Sequence, residues 1–148
     1  MWNHYPAMQT EHVIDLISRL RGRANEHIAA ELTRLNHPGL APSHGAILAA
    51  LSALGAQPMS SLAENIGRRK NTVTALVRKL KAAGYVSTRR DAQDSRVTLV
   101  ALTRKGEALR TDFDAVSRAL LVRTWGGMDA SRREELVAGL EELLHNLA

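Results

Sequence analysis

The sequence predicts a mainly α fold with a small β-hairpin, and three observations lead there. Apolar residues recur at helical spacing toward both ends of the chain. Only two neighbouring segments, Tyr85 to Arg89 and the β-branched Val97 to Leu102, have strand character, and a polar loop from Arg90 to Ser95 separates them. The 148 residues suffice for one domain with its own core and are too few for two, so 1–148 is read as a single domain. Aromatic residues make up 3% of the chain, so the core must be built from Leu, Ile, Val and Ala.

The first helix is expected from Met8 to Leu35, where Val13, Leu16, Ile17, Leu20, Ala24, Ile28, Leu32 and Leu35 share one face. His37-Pro38-Gly39 ends it. A second helix starts near Pro42-Ser43, with Pro in its first turn and Ser43 able to cap. It turns Ile47, Leu48 and Leu51 inward and stops at Gly55. A short third helix opens at Pro58 to Ser61, where Ser61 and Glu64 have capping-box spacing, and Gly67 closes it. The fourth runs from about Asn71 to Ala83, with Gly84 as its left-handed terminator. After the hairpin, which two strands alone cannot hold together without support from the helices, Thr103 caps a fifth helix carrying Leu109, Phe113, Val116 and Leu120. Gly126-Gly127 breaks it, and Asp129 or Ser131 starts a sixth, with Leu136, Leu140, Leu143, Leu144 and Leu147 on one side. This order is a winged helix-turn-helix over 42–102, flanked by helical arms over 8–37 and 104–148.

Charge is concentrated in one stretch. Residues 68–96 hold nine of the twenty Lys and Arg residues and only two acids, Asp91 and Asp94, which leaves +7 there against −2 elsewhere. A localised positive field suits a polyanion. On the fourth helix, Val73, Leu76, Val77 and Leu80 form the inward face. Asn71, Thr72, Thr74, Ala75, Arg78 and Lys79 face outward or lie at its start, with Lys70 just ahead. Short polar groups followed by cations suit the major groove: Asn can bond adenine, Thr either base, and Arg or Lys guanine or phosphate. In the hairpin, Arg89, Arg90 and Arg96 surround the two acids; a long Arg at such a tip can enter the minor groove, and Asp94 is placed to orient Arg96. The blander reading of each element alone is a solvated basic helix face and a solvated turn. Their adjacency favours double-stranded DNA.

Ser61-Leu62-Ala63-Glu64, Gly67, Thr72-Val73-Thr74, Gly84-Tyr85-Val86, Asp91-x-x-Asp94-x-Arg96 and Leu102-Thr103-x-x-Gly106 together resemble the MarR family of bacterial and archaeal transcription regulators. The wing Asp-x-Arg followed by Leu-Thr-x-x-Gly is the most specific part. The resemblance implies a homodimer with interlocked first, fifth and sixth helices on a pseudo-palindromic operator. It also implies Arg96 as the minor-groove residue, Asp94 as its partner, and a small organic effector. Two positions depart from the family pattern. Arg69 stands where Ser or Asp commonly caps the recognition helix, leaving Asn71 or Thr72 as candidates, and Ser95 replaces a second wing Arg.

Other functions find little support. With no Cys, disulfides and thiolate metal sites are excluded. The six His residues show no paired spacing and none falls within 104–126, so neither metal nor cofactor is expected. His44 reads as a cap-region or surface residue and Trp125 as a helix-end filler. No nucleophile motif, phosphate loop or acid pair suggests an enzyme. Met1 to Thr10 lacks the pattern of a signal peptide, and no apolar run approaches the ~20 residues of a membrane span, so a cytoplasmic protein is expected. The leading expectation is therefore a dimeric, sequence-specific regulator of transcription, acting as a repressor. The departures at Arg69 and Ser95 motivate an alternative, a winged-helix protein-interaction module without sequence-specific DNA binding.

Overall fold

The computed structural model describes residues 9–148. The expected helix start at Met8, like His4, lies outside them. A 3₁₀ turn, Gln9–His12, leads into α1 (Val13–Arg34), followed by α2 (Pro42–Leu54), β1 (Gln57–Pro58), α3 (Met59–Ile66), α4 (Lys70–Ala82), β2 (Val86–Arg90), β3 (Thr98–Leu102), α5 (Arg104–Trp125) and α6 (Ala130–Asn146). The six helices follow the expected order. The hairpin gains a strand: β1 pairs antiparallel with β3 on the edge opposite β2, giving the order β1-β3-β2. β1 has only two residues, one a proline, so no alternation marks it; proline is tolerated because β1 is an edge strand.

The core lies where α2 packs against α3, α4, α5 and β3. Leu32, Ile47, Leu48, Leu62, Val73, Val77, Leu80, Val100 and Leu109 are fully buried there. Each contributes about 1.5–3 kcal/mol by leaving water. The expected inner residues of α2, α4 and α5 are thus inside, except that Leu76 and Leu120 are only partly covered.

Several helix ends differ from expectation in instructive ways. α1 stops at Arg34 rather than at the proline. Asn36 takes a left-handed conformation (φ 67°), the His37 N–H bonds back to the Leu32 carbonyl at 2.8 Å, and the Asn36 N–H bonds to that of Thr33. α2 has Ala41 at its N-cap, and no side chain of Ser43 serves it; instead His44 Nδ1 accepts the Ala41 N–H at 2.9 Å. Ser61 lies inside α3, two residues past its start, so its spacing with Glu64 does not cap the helix. Gly67, at φ 63°, then supplies the left-handed turn between α3 and α4, and the Arg68 N–H returns to the Ala63 carbonyl. Asp129, not Ser131, caps α6, accepting the Arg132 N–H at 2.9 Å. Thr103 caps α5 as expected.

The start of α5 is held against the exit of α4. Thr103 Oγ1 donates to the Gly84 carbonyl at 2.6 Å, the Thr103 N–H to the Tyr85 carbonyl, and Lys105 Nζ to the Ala83 carbonyl at 2.7 Å. Gly106 lies under the Tyr85 carbonyl so closely that any β-carbon would be driven into its oxygen. This explains physically the glycine of the Leu-Thr-x-x-Gly motif.

The arms are different. α1 packs along α5, yet Ile14, Leu16 and Leu20 remain more than half exposed. Of the expected inner face, Ile28 and Leu32 are buried, while Leu16 and Leu20 in its N-terminal half have little cover among the described residues; Ile14 lies off that face. Among the described residues, α6 makes no substantial contact with another element and buries no residue.

Two outcomes test this packing. Gly106→Ala should destabilise the protein by at least about 2 kcal/mol, since backbone must move, measurable as a lowered urea midpoint; an unchanged midpoint would contradict the contact. Burial of His44, reinforced by the Lys79 charge, holds its imidazole below the usual histidine range. The unfolded chain therefore binds that proton more readily, and stability is lost as pH falls below about 6.5. His44→Gln retains an acceptor for Ala41 but does not titrate, so its melting temperature should fall less between pH 7 and pH 5 than that of the wild type.

Candidate nucleic-acid interface

α4 presents its polar face without cover. Lys70, Asn71, Thr72, Ala75 and Arg78 are exposed and Thr74 is half-buried. Five of these expected contact residues (Lys70, Asn71, Thr74, Ala75 and Arg78) line one shallow depression on the outer side of the helix. The Thr74 hydroxyl donates to the Lys70 carbonyl at 2.8 Å, which fixes its rotamer and leaves its lone pairs outward.

The helix starts at Lys70, one residue before the expected Asn71, with Arg69 in extended conformation at the N-cap and no side chain capping it. Neither Asn71 nor Thr72 is the cap. Asn71 Oδ1 instead accepts the Thr72 N–H at 2.9 Å within the first turn. The amides of Lys70 and Asn71 thus point out of the helix end without an intrahelical acceptor. An uncapped helix start flanked by Arg68, Arg69 and Lys70 is a favourable place for a phosphate.

Lys79 lies off this face. An added β-carbon at Gly39 would sit 3.4 Å from its Nζ, so the ammonium rests beside the loop between α1 and α2. Lys81, which the sequence pattern does not single out, bridges to the sheet by donating to Thr88 Oγ1 at 2.6 Å. That bond ties α4 to β2, and the β2–β3 register from Val86↔Leu102 to Arg90↔Thr98 carries the connection out to the wing tip.

The wing loop is tightly organised for seven exposed or half-exposed residues, 91–97. The Asp91 N–H bonds to the Val97 carbonyl and the Val97 N–H to that of Asp94. Asp91 Oδ1 accepts the Gln93 N–H. Arg90 donates to the Ser95 carbonyl at 2.6 Å, so one of the wing arginines closes the loop through the backbone of Ser95. Arg89 and Arg90 are neighbours on β2 and leave opposite faces of the sheet.

Asp94 grips Arg96 at three points. Its Oδ1 accepts both the backbone N–H and Nε of Arg96 at 3.1 Å, and its Oδ2 accepts Nη2 at 3.2 Å. The Arg96 side chain is nevertheless 88% exposed. Its guanidinium is therefore aimed but not covered, with donors left for another acceptor. The Arg96 side-chain hydrogen bonds, followed by its backbone N–H, hold the Asp94 carboxyl below the ordinary range. Among the described residues this is the only ion pair within 68–96, so the other cations of the segment are not neutralised by the protein itself.

Carbon-detected NMR titration reads this clamp directly. Arg96→Ala, which keeps the backbone N–H bond, should raise the Asp94 pKa toward the usual carboxylate range, and an unmoved titration would show that the Arg96 side chain does not hold it.

Comparison with known proteins agrees with this geometry. The MarR family model matches residues 40–98, the span from the end of the α1–α2 loop into β3. The HTH-type transcriptional repressor IacR of Pseudomonas putida is 26% identical over 131 residues, covering 88% of this chain and 77% of that protein. The PcaV transcriptional regulator of Streptomyces coelicolor, solved with its natural ligand, superposes with a TM-score of 0.78 at 18% identity, covering 94% of this chain and 96% of PcaV; this shows the shared fold. BpsR of Bordetella bronchiseptica, whose DNA binding is regulated by 6-hydroxynicotinic acid, superposes with a TM-score of 0.63 at 25% identity, over 86% of this chain and 98% of BpsR. Over residues 40–98, which carry the helix-turn-helix and the wing, the chain is thus similar to the MarR family, and with its helical arms it shares the fold of these solved regulators.

Proposed function

We propose that the chain is a homodimeric repressor that binds a pseudo-palindromic DNA operator and is released from it by a small organic ligand. The observation that carries this reading is the pairing of two exposed cationic tools. α4 offers Asn71, Thr74, Ala75 and Arg78 on its outer face, with Lys70 and Thr72 at its start, for the major groove. The wing offers Arg96, aimed by Asp94, for the minor groove. Arg89, Arg90 and Lys79 stand around these as further cations, with Arg90 also closing the loop.

The homodimer is supported by what one chain leaves uncovered. Leu136 and Leu144 of α6 with Leu147 just past its end, Leu121 and Val122 of α5, and Ile14, Leu16 and Leu20 of α1 are all exposed. A lone helix of seventeen residues such as α6 has little stability in water. A second copy offers the same apolar set in return, as a two-fold interface requires. It would also set two α4 helices about one DNA turn, roughly 34–36 Å, apart.

The effector is supported by a groove of about 540 Å³ between α1 and α5. Leu20, Ala24 and Leu120 form its apolar part, and Arg23, His27 and Arg123 its polar rim. Neither Arg23 nor Arg123 is in an ion pair among the described residues. PcaV and BpsR, which share the fold, are a ligand-bound and a ligand-regulated protein respectively.

Selection of random duplexes with the purified protein, then anisotropy across salt, tests the reading. A palindrome should be enriched, bound by an assembly of twice the 16.2 kDa chain mass in sedimentation. Arg78→Ala and Arg96→Ala should each weaken binding by about tenfold or more. A variant that no longer reaches one phosphate should have a salt slope smaller by about 0.9. Unchanged affinity and slope in both variants would displace the interface. Failure to enrich any duplex would favour the protein-interaction module.

A further inference from the structure

The left-handed terminations of α1 and α4 meet. In α4 the Gly84 N–H returns to the Lys81 carbonyl and the Tyr85 N–H to that of Leu80, the same pattern that ends α1 at Asn36 and His37. His37 and Tyr85 therefore occupy equivalent positions just past two helix ends, each with its backbone pinned. Their side chains bond to one another, His37 Nδ1 to the Tyr85 hydroxyl at 2.8 Å. The far ring nitrogen, Nε2, lies 2.8 Å from Asp112 Oδ2 on α5. A carboxylate accepts only, so Nε2 carries the hydrogen there, and in the neutral ring Nδ1 accepts the Tyr85 hydroxyl.

The chain of bonds is sheltered. His37 is 8% exposed and Tyr85 3%, while Asp112 reaches it from a half-exposed position. On the other side of the Tyr85 ring, Lys105 Nζ lies 4.6 Å from the centroid. Buried polar groups so arranged discriminate strongly between orientations, because a small rotation leaves a donor or acceptor unpaired. The elements joined are the three whose relative angle matters for DNA: the end of an arm helix (α1), the exit of the recognition helix (α4), and the other arm helix (α5).

We propose that His37 is a positioning residue for operator binding: by bridging Tyr85 to Asp112 it fixes the angle between α4 and the α1–α5 arm, and with it the spacing of the two recognition helices. His37 touches no DNA in this scheme. Its effect reaches the operator through Tyr85, the second residue beyond the C-cap of α4. The inference rests on the dimeric, palindrome-binding reading above and adds a determinant of half-site spacing to it.

The test uses the enriched palindrome and a version with one base pair inserted between its half-sites, which rotates one half-site by about a tenth of a turn. Wild-type protein should bind the insertion duplex at least about tenfold more weakly than the parent. Tyr85→Phe and Asp112→Ala, each of which removes a hydrogen-bonding group from the chain, should shrink that ratio to about two- or threefold, with the salt slope on the parent duplex unchanged. The double variant should relax the ratio no further than either single one, because both open the same chain although Tyr85 and Asp112 are linked only through His37. Tyr85→Phe keeps the ring and its packing, and its melting temperature is recorded alongside. Wild-type discrimination retained in both variants would overturn the proposal. Equal weakening on parent and insertion duplexes would overturn it too, by reducing the chain of bonds to a support for folding. Enrichment of no palindrome by the wild type would be distinguishable from both, since it removes the DNA-binding reading itself.

Discussion

The seat of α5 on the exit of α4 is the contact on which the rest of the molecule depends. On the proposed reading, α4 can serve as a recognition helix only if its outer face is held at a set angle to the arms. Here the joint is made of backbone: carbonyls at Ala83, Gly84 and Tyr85 receive Lys105, Thr103 and the Thr103 amide. These carbonyls belong to the turn that the Gly84 and Tyr85 amides close against Lys81 and Leu80, so the segment that terminates α4 also docks α5. The absence of a side chain at Gly106 is what allows the approach. Because α5 continues for 22 residues into the arm, any tilt of the arm is delivered to α4 at this point.

The basic segment divides between two mechanical supports. α4 is braced by its buried stripe of Val73, Val77 and Leu80 and presents flexible cations on a rigid face. The wing has almost no core of its own and is organised by hydrogen bonds instead. Asp91 and Asp94 spend their charges on turn geometry and on aiming Arg96, and Arg90 spends part of its own on the Ser95 carbonyl. Ser95 thus contributes its backbone where a second arginine is common in the family pattern. Arg69 leaves the start of α4 open where a capping side chain is common. An open helix start is less stable by itself, typically by about 1 kcal/mol, but it leaves amides free for an anion.

Stability is distributed unevenly along the chain. The lobe around α2 holds nearly all of the fully buried side chains, while α6 holds none. Beyond its own hydrogen bonds, this helix has its Asp129 cap and the contacts of Arg133 with the Met128 carbonyl and the Trp125 ring to set against the entropy of ordering. On the dimeric reading proposed above, a second chain that covers the arms would offset that imbalance and link folding of the ends to assembly.

Most of the fold was legible in the sequence because periodicity and punctuation are local signals. Ile47, Leu48 and Leu51, or Leu109, Phe113 and Val116, declare an inward face by spacing alone. Gly67, Gly84, Thr103 and Gly126 mark ends by chemistry that acts within four residues. Asp94 with Arg96 was legible for the same reason, being two positions apart. β1 was not, since two residues carry no alternation and only the free edge of β3 gives Gln57 and Pro58 their strand. Nor was the true start of α4, which no side chain caps, or the cap of α2, where the ring of His44 takes the place of the short polar side chains that usually serve. His37, Tyr85 and Asp112 lie 48 and 75 positions apart, and nothing in the spacing of a histidine, a tyrosine and an aspartate foretells that two helix ends will bring them together. By itself, then, the sequence determined the helices, the wing and the place of the charge, all of which follow from interactions between near neighbours. Only the tertiary structure decided how the recognition helix is held to its arm, because that depends on contacts between residues the chain keeps far apart until it folds.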